Sequence, residues 1–283
     1  MDISLDCIPC IVDSYTRLVR AGMLPEEAHE AGMRRLLDFL AGADYRQSPP
    51  VLGRELHRMI RSELDDPDPY RAIKDESNRL MLERYADFEA LVTGSDDPFD
   101  TALRLAIAGN VIDFGPRHQY DVMETIERVL TTPLAIDDSQ ALRHDLASAD
   151  TLLYIGDNCG EIVLDRLFLE HIDCPEKYFA VRGGPVINDA TIEDARSVGI
   201  EDVARIITTG DDSPGVVLET ASDEFRHIFD TADVIIAKGQ GNLEGLLEVN
   251  RNIYFLLITK CDLVAGRVGT RRGEFVVKRA RNR

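Results

Sequence analysis

The chain has 283 residues, 44% of them hydrophobic, and a formal net charge of −19. This supports a large buried core and argues against non-specific nucleic-acid binding, which needs clustered Lys and Arg. Its longest apolar runs, such as "NIYFLLIT", fall well short of the roughly 20 residues of a membrane span, and "MDISLDCIPC" has no basic-then-apolar leader, so a cytoplasmic protein with no membrane partner is expected.

The first half reads as helices. Ile8, Ile11, Val12, Tyr15, Leu18 and Val19 recur at three- and four-residue spacing in 7–22, and Gly22 is a stop signal. A second helix is expected over 24–42, with Pro25 and acids early and Gly42 at the end. A third follows over 51–64 and one long fourth over 68–92, after the turn-forming "DDPDP". A fifth is expected over 96–114, started by Asp97 and Pro98.

The second half alternates apolar strand-like runs with helical segments. Strands are expected in "TLLYIGD", "KYFAVRG", "VARIITTG", "ADVIIAKG" and "NIYFLLITK", and helices in "GEIVLDRLFLEHI", "DATIEDARSVG", "PGVVLETASDEFRHIF" and "NLEGLLEVN". Continuous apolarity suits strands covered on both faces. The expected fold is therefore α plus α/β: a helical region, 1–135, packed on a three-layer α/β/α doubly wound, mostly parallel sheet, 136–283. The basic tail over 267–283 reads as a last strand and a solvated end.

In such a sheet ligands bind beyond the carboxyl ends of the strands. The residues placed there are Asp157, Asn158 and Glu161; Arg182, Gly183, Gly184, Asn188 and Asp189; Thr208, Thr209, Asp211, Asp212 and Ser213; Lys238, Gly239, Gln240, Gly241 and Asn242; Lys260 and Cys261. Asp157, Asn158 and Asp189 offer the hard oxygen donors that suit Mg²⁺ or Mn²⁺. The glycine-rich "RGGPVIND" and "KGQGNLEG" offer backbone N–H groups to a phosphate, with Gly183, Gly239 and Asn242 in the cradle and Arg182 and Lys238 adding charge. Together these point to metal-assisted phosphate-ester chemistry, with attack by water or by an aspartate carboxylate. Glu161 is expected to open a helix whose N-terminus faces an anion.

Other chemistries have less support. None of the six histidines follows a strand, which disfavours a His-rich zinc site, and no GxSxG elbow is present. "YIGDNCGE" loosely resembles the cofactor loop of S-adenosylmethionine-dependent methyltransferases but is poor in glycine. A non-catalytic metal- or nucleotide-binding protein is the remaining alternative.

Seven ordered motifs, "LDCIPC", "DPYRAIKDESN", "AGNVIDFG", "GDNCGEIVLD", "VRGGPVINDAT", "AKGQGNLEGL" and "LLITKC", resemble the metal-dependent damage-control phosphatases, long filed as domain of unknown function 89, and in particular their archaeal-type, cysteine-containing members. The resemblance implies a divalent cation (Mn²⁺, Mg²⁺, Co²⁺ or Ni²⁺) at positions matching Asp157, Asn158 and Asp189. It also implies a phosphate-contacting lysine at Lys238 and hydrolysis of a small phosphorylated metabolite, such as a sugar phosphate or a damaged phosphorylated cofactor. A eukaryotic branch described as a protein carboxyl methyltransferase keeps the methyltransferase alternative open.

Asn110 and Asp113 share one face of a helix end and read either as a cap or as groups closing over the substrate; Asn78 is a weaker candidate of the same kind. Cys159, where many relatives carry Ala, reads as a small filler or a soft ligand. An odd count of five cysteines argues against a disulfide framework. Cys7, Cys10 and Cys261 would form a thiol site if they converge, and otherwise they pack as small apolar groups.

Overall fold

The computed structural model describes residues 1–110 and 122–280. α1 (Cys7–Arg20), α2 (Glu26–Gly42) and α3 (Pro49–Leu64) pack around a core of their own that includes Tyr15, Leu36, Leu40, Leu52, Leu56 and Ile60. The single helix expected over 68–92 is instead two, α4 (Arg71–Leu82) and α5 (Tyr85–Thr93). No Gly or Pro marks the break at Glu83 and Arg84. It arises from packing, because α4 lies on α9 (Glu161–Glu170) while α5 lies on α6 (Pro98–Gly109). α6 starts where expected, with the Asp97 side chain accepting from Asp100 N at 3.1 Å. Asp113 lies outside the described residues.

α7 (Val122–Thr131), β1 (Ile136–Asp137) and α8 (Ser139–Leu146) lead into the sheet. The remaining strands are β2 (Thr151–Ile155), β3 (Glu176–Val181), β4 (Arg205–Thr208), β5 (Val234–Lys238), β6 (Ile253–Ile258) and β7 (Phe275–Arg279). The other helices are α10 (Ile192–Ser197), α11 (Asp223–Thr231), α12 (Gly239–Leu246) and α13 (Asp262–Val268). The seven strands run in the order β1-β7-β6-β5-β2-β3-β4, all pairs parallel except β6 with β7. Side chains alternate between faces. Leu152, Tyr154, Phe179, Val234 and Ile236 join a core with residues of α5, α6, α7, α8 and α9. Leu153, Ile155, Ala180, Ile235 and Ala237 join one with α11, α12 and α13. This is the three-layer α/β/α arrangement, with the preceding helices packed on it. Among the described residues no helix is long and apolar enough to cross a membrane.

Two segments depart from expectation. α12 begins at Gly239, directly after β5, so "GQG" is the first turn of a helix and not a loop. The helix expected over 214–229 is confined to α11, whose Ser222 cap accepts from Phe225 N at 3.2 Å; the preceding stretch is irregular. That stretch is gripped by three arginines spaced along one face of α3. Arg54 reaches Asp211 at 3.0 Å, Arg58 reaches Asp212 at 2.6 Å, and Arg61 bonds Asp212 and the carbonyl of Pro185.

Register places the site. Ile155 pairs with Ala180 on one side and with Ala237 on the other, so β2, β3 and β5 end at one level. From β2 the chain moves through β3 to β4, then returns to β2's other side as β5, making the β2/β5 boundary the topological switch point.

On α3, His57 is buried with Nδ1 unpartnered and its ring edge-on to Tyr70 at 5.6 Å. Burial, reinforced by Arg61, lowers its pKa to about 3. The unfolded chain therefore takes up this proton first, and the neutral ring's contribution is full above pH 6.5 and lost as pH falls toward 3. Between pH 7 and 5, wild type is expected to lose about 2 kcal/mol more than His57→Phe. Urea unfolding of both proteins at the two pH values checks this; parallel losses would refute it.

Candidate functional site

Beyond β2, Gly156 still pairs with β3, donating to Ala180 O at 3.0 Å. The next residues then cross to the loop after β3. Ala190 N donates to Asp157 O and Cys159 N to Asn188 O, both at 2.8 Å, with Asn158 and Asp189 bridged antiparallel. This backbone pairing brings two carboxylates thirty-two positions apart in sequence to one place.

Arg182, the first residue past β3 and 1% exposed, lies between them. Its Nε donates to Asp189 Oδ2 at 2.6 Å, Nη2 to Asp157 Oδ1 at 2.9 Å and Nη1 to Asn242 Oδ1 at 2.9 Å. Asp157 Oδ2 accepts from Asn158 Nδ2 at 2.8 Å and from Asn110 Nδ2, at the end of α6, at 3.2 Å. The same two amide nitrogens donate to Glu161 Oε2, each at 3.0 Å. Behind this layer Lys238 Nζ meets Glu161 at 2.7 Å, Ala106 O at 2.8 Å and Asp165. Tyr154 donates to Asp165 at 2.7 Å.

Asp157, Asn158, Asp189, Arg182, Asn110 and Gly239 thus come together. Gly239 has φ +75°, and a Cβ there would stand 2.0 Å from Asp157 Oδ2. Its lack of a side chain is what lets the start of α12 approach the carboxylate. The other expected residues have different tasks. Lys238, fully buried, donates to Asp165 and Ala106 O and forms an ion pair with Glu161. Asn242 is fully buried and accepts from Arg182 and Val216 N while donating to Gly156 O and Lys238 O. The Gly183 N–H is committed to Asp211 O at 2.8 Å, and a Cβ at Gly183 would meet Gly210 C at 2.5 Å; this glycine serves loop packing. Glu161 points to Lys238 and the amides and not to an anion. The Gly160 N–H ahead of α9 is taken by Asn78 Oδ1 at 2.6 Å.

A further lysine within electrostatic reach of the site is Lys260, two residues past β6. It is exposed, and its charge acts on both Asp157 and Asp189. It stood among the strand-end residues in the sequence, and its position beyond the strand, free of the sheet, was the signal that separated it from Lys238.

Burial raises Asp157 to about 7, helped by Asp189 and Glu161 and opposed by Arg182 and Lys260. Asp189 is also raised, by burial against the pull of Arg182. Asp165 is pushed up to about 7 by burial, against Lys238. For Glu161 burial works the same way, but Lys238 and the amide donors outweigh it and hold the carboxyl below its ordinary value. Four buried carboxylates, Asp157, Glu161, Asp165 and Asp189, therefore face two buried cations, Arg182 and Lys238. With all four ionised, two negative charges would lack a counter-charge, and burial raises Asp157, Asp165 and Asp189 toward the neutral form.

A divalent cation fits this place. Its charge would favour the ionised form of the raised carboxyls, and the available donors are oxygens from two carboxylates and an amide. Anchoring Asn158 through its nitrogen leaves its carbonyl oxygen on the amide's other side. Asn110 Oδ1 is buried with no partner among the described residues. Among the described residues no group of three or more His, Cys, Asp or Glu is arranged as a metal site; a cation held here would need the Asn158 oxygen beside the two aspartates.

The cysteines stand apart from these donors. Cys159 is fully buried in the core. Cys7 and Cys10, in the first turn of α1, lie within electrostatic reach of Cys261 at the start of α13, and burial raises both thiols. Cys261 Sγ accepts from Gln240 Nε2 at 3.5 Å.

Gly239→Ala is expected to push Asp157 off its amide donors and to destabilise the protein by about 1–3 kcal/mol. Gly266→Ala, in α13 with nothing within 4 Å of the added carbon, is expected to be neutral or stabilising by up to about 1 kcal/mol. Denaturation midpoints of the two variants decide; similar behaviour would contradict the close approach of α12 to Asp157.

A family model described as the damage-control phosphatase ARMT1-like domain matches residues 3–276. The damage-control phosphatase PH1575 of Pyrococcus horikoshii is 36% identical over 286 residues, covering 99% of this chain and 98% of that protein. A damage-control phosphatase of Archaeoglobus fulgidus is 34% identical over 247 residues, 83% of this chain and 85% of that one. The crystal structure of the DUF89 family protein from P. horikoshii matches with a TM-score of 0.90 at 35% identity, covering 99% of this chain and all of that one.

Proposed function

The chain belongs to the damage-control phosphatase ARMT1-like family, and from that premise we propose that it is a divalent-metal-dependent phosphatase acting on a small phosphorylated metabolite, a sugar phosphate or a damaged phosphorylated cofactor. The observation that carries the reading is the meeting of Asp157, Asn158 and Asp189, two buried carboxyl groups and an amide, at the carboxyl ends of β2 and β3 beside the β2/β5 switch point. Asp157, Asn158 and Asp189 would hold the cation, which when bound supplies Lewis-acid polarisation of a phosphoryl oxygen.

The chain's own groups do the rest. Arg182 ties Asp157 to Asp189, so the two carboxylates keep a fixed spacing and need no rearrangement when substrate arrives. Lys260, exposed at the rim, offers its ammonium to phosphoryl oxygens and offsets charge that builds there during transfer. The N-terminal turn of α12, opened by Gly239, presents backbone N–H groups and the positive end of the helix dipole beside Asp157. Asn110 Oδ1 is an acceptor for a substrate hydroxyl. The low exposure of Asp157 and Asp189 keeps bulk water from screening these interactions.

The test is phosphate release from a panel of sugar phosphates and phosphorylated cofactors with Mn²⁺, Mg²⁺, Co²⁺ or Ni²⁺, and with chelator. Asp157→Ala is expected to abolish metal-dependent release, and Lys260→Ala to lower kcat/KM by roughly 10- to 100-fold. Release that survives chelator or Asp157→Ala would place the chemistry elsewhere. No release with any cation, together with S-adenosylmethionine binding near residues 156–161, would transfer the site to methyl transfer.

A further inference from the structure

Glu161 sits behind the carboxylates that face the mouth. It is fully buried, with Oε1 on the Lys238 ammonium and Oε2 accepting from the side-chain nitrogens of both Asn158 and Asn110. A side-chain amide carries its oxygen opposite its nitrogen, so whatever anchors the nitrogen decides where the oxygen points. Two oxygens anchor these nitrogens, Asp157 Oδ2 and Glu161 Oε2. Asp157 belongs to the proposed ligand set and Glu161 does not.

We infer that Glu161 is a positioning residue for cation binding: held by Lys238, it keeps both amide nitrogens turned inward, so that Asn158 presents its oxygen to the cation and Asn110 keeps a free acceptor for the substrate. This rests on the cation reading given above. Lys238 then acts through Glu161, never on the phosphate. Asp165 shares the lysine but touches neither amide; its Oδ1 takes Lys238 and the Tyr154 hydroxyl.

A glutamine at 161 is nearly isosteric and cannot serve both sides. With its oxygen toward the asparagines, its NH₂ meets the Lys238 ammonium, donor against donor. With its oxygen toward Lys238, its NH₂ meets two further NH₂ groups, and the asparagines are driven to turn their oxygens inward and their nitrogens to the cation. Lys238 keeps Asp165 as its counter-charge, so no buried ion is left alone. Replacing Lys238 by Met as well removes the conflict, because the glutamine is then free to point its oxygen at the asparagines, and Asp165, already raised by burial, takes up a proton once its lysine is gone.

The experiment is calorimetric titration of Mn²⁺ into the substrate-free full-length protein, with melting temperatures recorded in parallel. Glu161→Gln is expected to weaken binding by roughly 10- to 100-fold, the scale of lost support behind a metal ligand, while Asp165→Asn stays within about threefold of wild type. The double variant Glu161→Gln/Lys238→Met is expected to recover most of the loss, and it carries the test if Glu161→Gln alone does not fold. Unchanged affinity in Glu161→Gln overturns the positioning role and leaves the cation reading intact. Equal losses in Glu161→Gln and Asp165→Asn, or no recovery in the double variant, overturn it too, since they mark a general loosening of the buried triad. A wild type that takes up none of Mn²⁺, Mg²⁺, Co²⁺ or Ni²⁺ overturns the cation reading and the positioning role with it.

Discussion

Two buried cations, Arg182 and Lys238, organise four buried carboxylates, and the remaining architecture is arranged to make that possible. Isolated buried charges are too costly to survive unpaired. Each one here has a specific partner, and the partners come from several parts of the fold. Arg182 joins the end of β3 to the ends of β2 and β5 through Asp157 and Asn242. Lys238 joins the end of β5 to α9 through Glu161 and Asp165, and to α6 through the carbonyl of Ala106. Strand register, helix layer and early helices thus meet in one network.

Much of this was legible in the sequence. Continuous apolar runs mark the strands, and the rule that ligands sit beyond strand ends gathers Asp157, Asn158, Arg182 and Asp189 from the sequence alone. Lys238, expected as a phosphate contact, is paired in the fold with Glu161 and Asp165. It is the last residue of β5, within the run expected as a strand. By the period of two it shares a face with Val234 and Ile236, which pack toward α6 and α9. Lys260 lies past the end of its strand and escapes that constraint. Periodicity alone contained the distinction; only the strand boundary was missing.

Other features had no local signal. The break between α4 and α5 follows from packing on two different helices. The hub role of Asn242 depends on groups supplied by β2, β3, β5 and Val216, which no short window of sequence joins. Lys74 is similar: fully buried, it pairs with Asp68 at 2.9 Å and with Asp194 of α10 at 2.8 Å, one turn of α4 before Asn78 reaches Gly160. The motif "DPYRAIKDESN" reads locally as an ordinary charged helix. In the fold, that helix face braces the turn that carries Asp157 and Asn158.

The arginine row on α3 has a consequence for modularity. The stretch between β4 and α11 is irregular, and its acids Asp211 and Asp212 are gripped from outside by Arg54, Arg58 and Arg61. α6 meanwhile lies against α9, with Asn110 reaching Asp157. Severing the chain ahead of β1 would strip one face of the sheet, strand Lys238 without a carbonyl partner and release a loop beside Arg182. The early helices are therefore no detachable accessory to a catalytic α/β core. Loss or exchange of that region would alter the chemistry itself, so the two halves are constrained to change together.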